Sequence, residues 1–360
     1  MKTVPAIKSV LSVALLATPA AVAQSTSPDA VSPLNLDPPP LQSPNRFGLS
    51  YRMGFNAPVS FSKLGGFPAL SVPRYTPDGD RYNYDNGYVL TDSSGNAMGY
   101  TRYWGYDNAS QVPGNGTIVM QRSSSAPTSS SNDHYDTPMS GFELTYNREL
   151  IHKDTWRGGL EGAFGYTYVH VHDAGTQAAN VTRVDDTYAF APGAVVPPAG
   201  YTGHKSAPNG APDLGAARVG SNTSNDPQGA SITGQRDFSA DMFGFRFGPY
   251  VEVPLSRTIS VSLSGGFALV YVNSEFSFDE TVTIPGVGSV EHRASGDGND
   301  WLPGAYVAGN VSLALSPSWA LVAGAQFEDV GRYTQTLSGK QATLDLSKSI
   351  YVTLGISYSF

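Results

Sequence analysis

Cysteine is absent from all 360 residues. That excludes disulfides, thiolate chemistry and a lipid-anchored N-terminal cysteine. Charge is sparse as well. Asp, Glu, Lys and Arg make up 14% of the chain, against about 25% in soluble domains. No apolar run approaches the 18 residues of a membrane-crossing helix. No G-x-S-x-G, H-E-x-x-H, P-loop or dinucleotide fingerprint occurs, so no cofactor is expected.

The N-terminus carries Lys2 and Lys8, then an apolar run over 10–17, then Ala21-Val22-Ala23. This is the layout of a secretory signal peptide, assigned to 1–23. Its removal takes two lysines and no acid, so the net charge of −8 becomes −10. An acidic exported chain does not suggest nucleic acid as a partner. Residues 24–45 hold six prolines and read as an extended, solvated lead-in. Export without a spanning helix leaves a secreted protein or a barrel. The 39 glycines and 20 tyrosines, set in a low-charge chain, suit a membrane barrel, whose apolar residues are diluted by alternation.

The stretch 344–360 carries the clearest pattern. Ile350, Val352, Leu354, Ile356, Tyr358 and Phe360 alternate with mostly small or polar residues. A period of two is a strand with one apolar face. The stretch is longer than the 5–6 residues of an ordinary strand and suits the 9–11 that cross a bilayer. The same alternation recurs over 46–56, 139–150, 156–171, 238–253, 258–278, 301–315 and 319–333. Beyond Val270 the alternation slips, where the strand is expected to leave the membrane. Pro249 removes a ladder hydrogen bond and predicts a bulge.

Eight strands, an even number, suit a closed antiparallel up-and-down transmembrane β-barrel spanning 46–360. Ten strands would follow if the short extended pieces near 87–122 also crossed. The connections alternate long and short. The stretches 57–138 and 173–237 read as large irregular external loops, and 279–300 as a shorter one. Trp156, Trp319, Tyr358 and Phe360 cluster at the short-turn end, as an aromatic girdle at a membrane interface would.

With alternation, loop asymmetry and the terminal Ile356-Ser357-Tyr358-Ser359-Phe360 in view, the chain resembles small eight-stranded outer-membrane barrels of the OmpA/OmpX type. The resemblance implies an outer-membrane location in a Gram-negative-type bacterium and contact with outer-membrane lipid. It also implies that the last strand is read by the barrel-assembly machinery. It says little about activity, since barrels host several.

Candidate chemistry is thin. His170 and His172 share a strand face and read as part of an interfacial stripe rather than a metal site. Asp185 and Asp186 with His134 and His204 have the composition of an acid–histidine site but no fixed geometry. Residues 295–300 look calcium-flavoured but lack the EF-hand spacing, and read as a polar turn. The late strands lack histidine, unlike barrel lipid deacylases. More informative are Arg46, Arg52, Glu143, Arg157, Glu161, Arg246, Glu252 and Glu328, four basic and four acidic, all on the polar face. Buried charges must pair, and an eight-stranded lumen is just wide enough for side chains to fill. Position along the strands suggests Arg157–Glu252, Glu161–Arg246 and Arg52–Glu143. The expectation is a salt-bridged plug in a structural or surface-interaction protein with no catalytic, cofactor or metal site. A charged narrow pore and a membrane-embedded enzyme are the alternatives. No external ligand is identified.

Overall fold

The computed structural model describes residues 44–67, 81–90, 98–125, 133–136, 139–202 and 213–360. The expected signal peptide, nearly all of the proline-rich lead-in, and His204 lie outside the described residues, as does the side chain of His134.

Eight strands close into one ring: β1 (Asn45–Phe55), β2 (Met139–His152), β3 (Arg157–Phe190), β4 (Leu214–Pro254), β5 (Ile259–Ile284), β6 (Gly288–Ala314), β7 (Trp319–Asp329) and β8 (Ser349–Ser359). Each pairs antiparallel with its neighbour, and β8 closes on β1 from Arg46↔Ser359 to Phe55↔Ile350. This is an up-and-down β-barrel, with turns at 153–156, 255–258 and 315–318 at one end. The ten-strand alternative is excluded. Gly87–Leu90 belongs to a separate three-stranded sheet, and Thr117–Ser125 pairs only with the far end of β3.

The register fixes the geometry. Cross-strand partners run Trp301, Tyr271, Phe243, Tyr166, Phe142, Tyr51, Leu354, Ala323 and back to β6 at Val311. The path returns 10 residues along the strand it left. With about 3.3 Å per residue and about 4.8 Å between strands, that stagger tilts the strands by roughly 40°. The first six members of this path are aromatic and point outward.

The apolar face changes sides along the strands. On β5 the outward residues Ile259, Val261, Leu263 and Phe267 are exposed, while inward Ser264 is buried. Past Tyr271 the outward positions become Asn273, Glu275, Ser277 and Asp279, and inward Val272, Phe276, Phe278 and Val282 are buried. Among the described residues, every exposed large apolar side chain except Met98, Val195 and Val219 lies in windows at the short-turn end of the eight strands or, as with Leu255, Leu315 and Phe360, just beyond them at that end. These windows have the length a tilted strand needs to cross a bilayer. Below the switch the barrel is apolar outside; above it, the barrel is built like a soluble protein, apolar inside.

Four short strands continue the ring upward. Arg332–Leu337, Lys340–Asp345, Pro58–Ser62 and Asp133–Asp136 form a second sheet in that order, the order of β7, β8, β1 and β2. Breaks separate the two levels. Asn56 (φ 56°) and Gly331 (φ 83°) take left-handed backbone conformations there. The terminal stretch expected as one strand over 344–360 is therefore two. Leu344 and Leu346 turn inward and are buried, whereas Ile350 onward faces out. Arg332, above the break, is exposed and pairs with Asp345 at 2.8 Å.

Other expectations give way too. The region 173–237 is not an irregular loop. Most of it extends β3 and β4 as a hairpin, paired from His172↔Asp237 to Phe190↔Leu214 with register shifts. Its buried apolar residues, Val181, Tyr188, Leu214 and Ile232 among them, are spaced out among small and polar ones, so no sustained alternation marks it as strand. Residues 279–300 likewise form a hairpin turned at 285–287, and 295–300 are strand rather than turn. Part of 57–138 is strand as well. Pro249 causes no bulge. Phe247↔Phe267 and Tyr250↔Ser264 keep one register across it. Gly248 and Gly266 let the two backbones approach there, since a Cβ on either would collide with the facing strand.

Candidate functional site

The lumen is built from the inward positions of all eight strands, and charge lies in three layers. Midway through the membrane-spanning windows, Arg52 Nη2 of β1 lies 2.9 Å from Glu328 Oε2 of β7, and its Nη1 lies 3.9 Å from Glu143 of β2. Arg246 of β4 lies 2.7 Å from Glu143 and 3.8 Å from Glu161 of β3. Glu161 also accepts from Asn147 Nδ2 (2.8 Å) and Ser264 Oγ (3.0 Å), and Glu328 from Gln326 Nε2 (2.5 Å). Both guanidiniums stack on tyrosine rings, Arg52 on Tyr351 (3.5 Å) and Arg246 on Tyr306 (4.6 Å). A side chain at Gly165 would collide with the Arg52 guanidinium, so that glycine leaves room for it. All five charged residues are buried.

Nearer the short turns, Arg46 lies 2.5 Å from Glu252 and over the Tyr250 ring. Arg157 stands directly across from Glu252 in register and has Glu149 within 3.9 Å. Two of the three expected pairings recur as contacts, at 3.8 and 3.9 Å, but in each the cation has a shorter partner on a non-adjacent strand. A cavity of about 50 Å³ separates the two layers, lined by Arg46, Ser50, Thr145, Asn147, Asn310 and Thr353 among others. It has room for a few waters.

Above the mid layer the interior turns apolar. Met139, Val169, Phe238, Met242, Val270 and Leu346 belong to one buried cluster that the upper sheet joins through Val59, Phe61 and Leu344. Beyond it lies a third charge layer that the sequence does not reveal. Arg236 of β4 pairs with Asp173 of β3 and lies 2.9 Å from Glu280 of β5, while Lys340 Nζ lies 2.7 Å from the other Glu280 oxygen. Lys340 also donates to the carbonyls of Leu64 (2.6 Å) and Gly66 (3.2 Å). Burial pushes the Lys340 amine below its ordinary value, and Glu280 offsets this only in part. Burial, with Lys340 nearby, also pushes His292 down.

The sequence-derived chemical candidates do not converge. His172 lies on the outer surface, its Nδ1 2.7 Å from Asp237, and His170 faces Ser239 in register. Asp186 lies 14 residues further along β3 and is buried. It accepts from Tyr84 (2.8 Å) and Ser221 (2.6 Å) and pairs with Arg218 (3.2 Å). Burial raises this carboxyl, but those hydrogen bonds and the Arg218 charge outweigh it and hold it below its ordinary value. Asp185 faces Asn222. No group of three or more potential metal ligands occurs among the described residues. At the short-turn end Trp319 and Tyr358 are 4.9 Å apart, Tyr358 and Phe360 6.1 Å, all three exposed, and Trp156 precedes β3 beside Gly158.

No protein-family model and no curated protein matches the chain. Among solved structures it is similar to Ail, the attachment invasion locus protein of Yersinia pestis, at 10% identity over 88% of this chain and 99% of that one, with a TM-score of 0.26. It is also similar to the outer membrane protease OmpT of Escherichia coli, at 10% identity over 88% and 97% of the two chains, TM-score 0.29. A FadL homologue of Pseudomonas aeruginosa matches at 9% identity over 88% and 90%, TM-score 0.18. The barrel assignment stands on the closed register and the apolar outer face.

Proposed function

We propose that this chain is an integral outer-membrane barrel with an occluded lumen, serving as a rigid support for a surface-exposed head. The filled interior carries this reading. Two charge layers lie within the membrane windows, a buried apolar cluster lies above them, and a third charge layer lies above that. The short-turn end faces the periplasm and the long β3–β4 and β5–β6 hairpins face outward, as in outer-membrane barrels generally. The head has its own buried cluster around Trp104, Tyr106, Tyr188 and Leu214, so it presents a folded surface. The scattered positions of His170, His172, Asp185 and Asp186 favour a non-enzymatic role. Trp156, Trp319, Tyr358 and Phe360 anchor the periplasmic interface, and the last strand engages the assembly machinery.

Fractionation and a permeability assay test this together. The mature chain is expected in the outer membrane as a heat-modifiable band, and proteoliposomes carrying it should not swell in small sugars. Recovery from the soluble periplasm would refute the location, and rapid swelling would refute the occlusion.

A further inference from the structure

We infer that the outer face of β7 and β8 holds one phosphate-bearing membrane lipid, its headgroup at Lys348 and Arg332 and an acyl chain in the groove beneath. The inference rests on the membrane reading above. It starts at the break between β8 and the upper strand Lys340–Asp345, where the wall passes from lipid-facing to solvent-facing. A pocket of about 110 Å³ opens there, lined by Asn56, Pro58, Arg332, Asp345, Ser347 and Lys348. Arg332 is exposed and, among the described residues, forms its ion pair with Asp345 at 2.8 Å. Ser347 spends its hydroxyl on Asp345 at 2.6 Å, and Asp329, on the same outer face, accepts from the Gly331 amide at 3.3 Å. The Lys348 amine has no carboxylate within ion-pair distance among the described residues, although its own carbonyl is fixed by Asn56 Nδ2 at 2.7 Å. A cation so placed, one step above the apolar band, suits the anionic headgroup of a lipid in the outer leaflet.

The second observation is independent of charge. Two residues below Lys348, Ile350 borders a groove of about 440 Å³ on the lipid-facing surface, with Leu263, Val307, Gly309, Ala325 and Phe327. Ile350 lies across from Phe327 in register, and Gly309 across from Ala325. The small residues sink the surface between larger neighbours. A Cβ at Gly309 would meet nothing within 4 Å, so the depression is open. Apolar groove and basic pocket follow one another along the same outer face, in the order that chain and headgroup take in a bilayer. Neither a free anion nor a bare hydrocarbon would use both.

The test uses the mature full chain in a zwitterionic detergent, with bound lipid counted by native mass spectrometry. The probes are phosphatidylglycerol, phosphatidylcholine and inorganic phosphate. Phosphatidylglycerol should be retained over phosphatidylcholine. Replacing Lys348→Gln should weaken its retention about fivefold, the worth of one basic group at an anionic surface, and Lys348→Glu should weaken it further. Gly309→Leu, whose Cβ would meet no atom within 4 Å, should weaken retention while leaving the headgroup pocket intact. All variants should stay heat-modifiable. The proposal is overturned if Lys348→Glu binds like the wild type, if the two lipids bind equally, or if inorganic phosphate displaces phosphatidylglycerol. A heat-modifiable barrel without lipid preference sinks this inference alone; failure to find any membrane barrel sinks the membrane reading as well.

Discussion

Arg246 of β4 and Glu143 of β2 meet at 2.7 Å although β3 lies between their strands. Only a side-chain pair crossing the lumen can skip a strand in this way. Arg52 and Glu328 repeat it across β8. Such pairs tie non-adjacent staves of the barrel, and removing one partner leaves a buried charge uncompensated.

A double-mutant cycle follows directly. Arg246→Ala and Glu143→Ala are each expected to cost on the order of 3–5 kcal/mol. The double variant should cost less than the sum of the two. Urea unfolding of the refolded barrel in lipid measures this, and simple additivity would show that the two residues are not coupled.

The change of apolar face along β5 and β8 makes an opposite pair of predictions. Leu354 points outward in the membrane window, and Leu354→Arg should destabilise the barrel by about 2–4 kcal/mol. Asn273 points outward above the switch, and Asn273→Arg should fall within about 0.5 kcal/mol of neutral. Equal effects would mean that the switch does not mark the bilayer boundary.

The head should respond to acid through Asp186. Its carboxyl is held below the ordinary value of 3.8 in the folded chain. The stability this contributes is therefore present above that value and is lost as pH falls through the lower, folded one. In Asp186→Asn that part of the acid dependence should vanish, at the cost of lower stability at neutral pH. Hydrogen exchange of the Tyr84 and Tyr188 amides, followed between about pH 5 and 2, reads it. An unchanged acid profile in the variant would count against the assignment.

Deleting Phe360 removes a girdle aromatic stacked on Tyr358 (6.1 Å apart) and the terminus of the last strand together. Markedly less heat-modifiable barrel is expected in the membrane fraction, and an unchanged yield would contradict it.

The membrane half of the fold was legible in the sequence because lipid outside and a narrow lumen inside force opposite chemistry onto alternate residues. The polar face that carries Arg52 and Glu143 follows from the same alternation, whereas the layer of Arg236, Asp173, Glu280 and Lys340 does not. The preferred partners of Arg52 and Glu143 were not legible, because strand position compares neighbours while Arg246–Glu143 and Arg52–Glu328 cross the lumen. The head was largely illegible. Thr176 and Thr233 face each other and Ser231 faces Ala178, and ladders of such small residues show little hydrophobic alternation. Lys340 sits in a polar hairpin sequence, and only the packing against Leu64 and Glu280 reveals that it is buried. The slip beyond Val270 was visible as a loss of pattern. Its cause, apolar residues moving from the outer to the inner face, needed the structure.

Single-channel recording in a planar bilayer tests the occluded lumen most directly. On the proposed occlusion the refolded mature chain should insert without steady conductance, and Arg246→Ala with Glu143→Ala should not open it, because the buried apolar cluster around Phe238 and Leu346 remains above the removed charges. A stable open channel of porin size in the wild type would show that the inward charges line water, and would contradict the account.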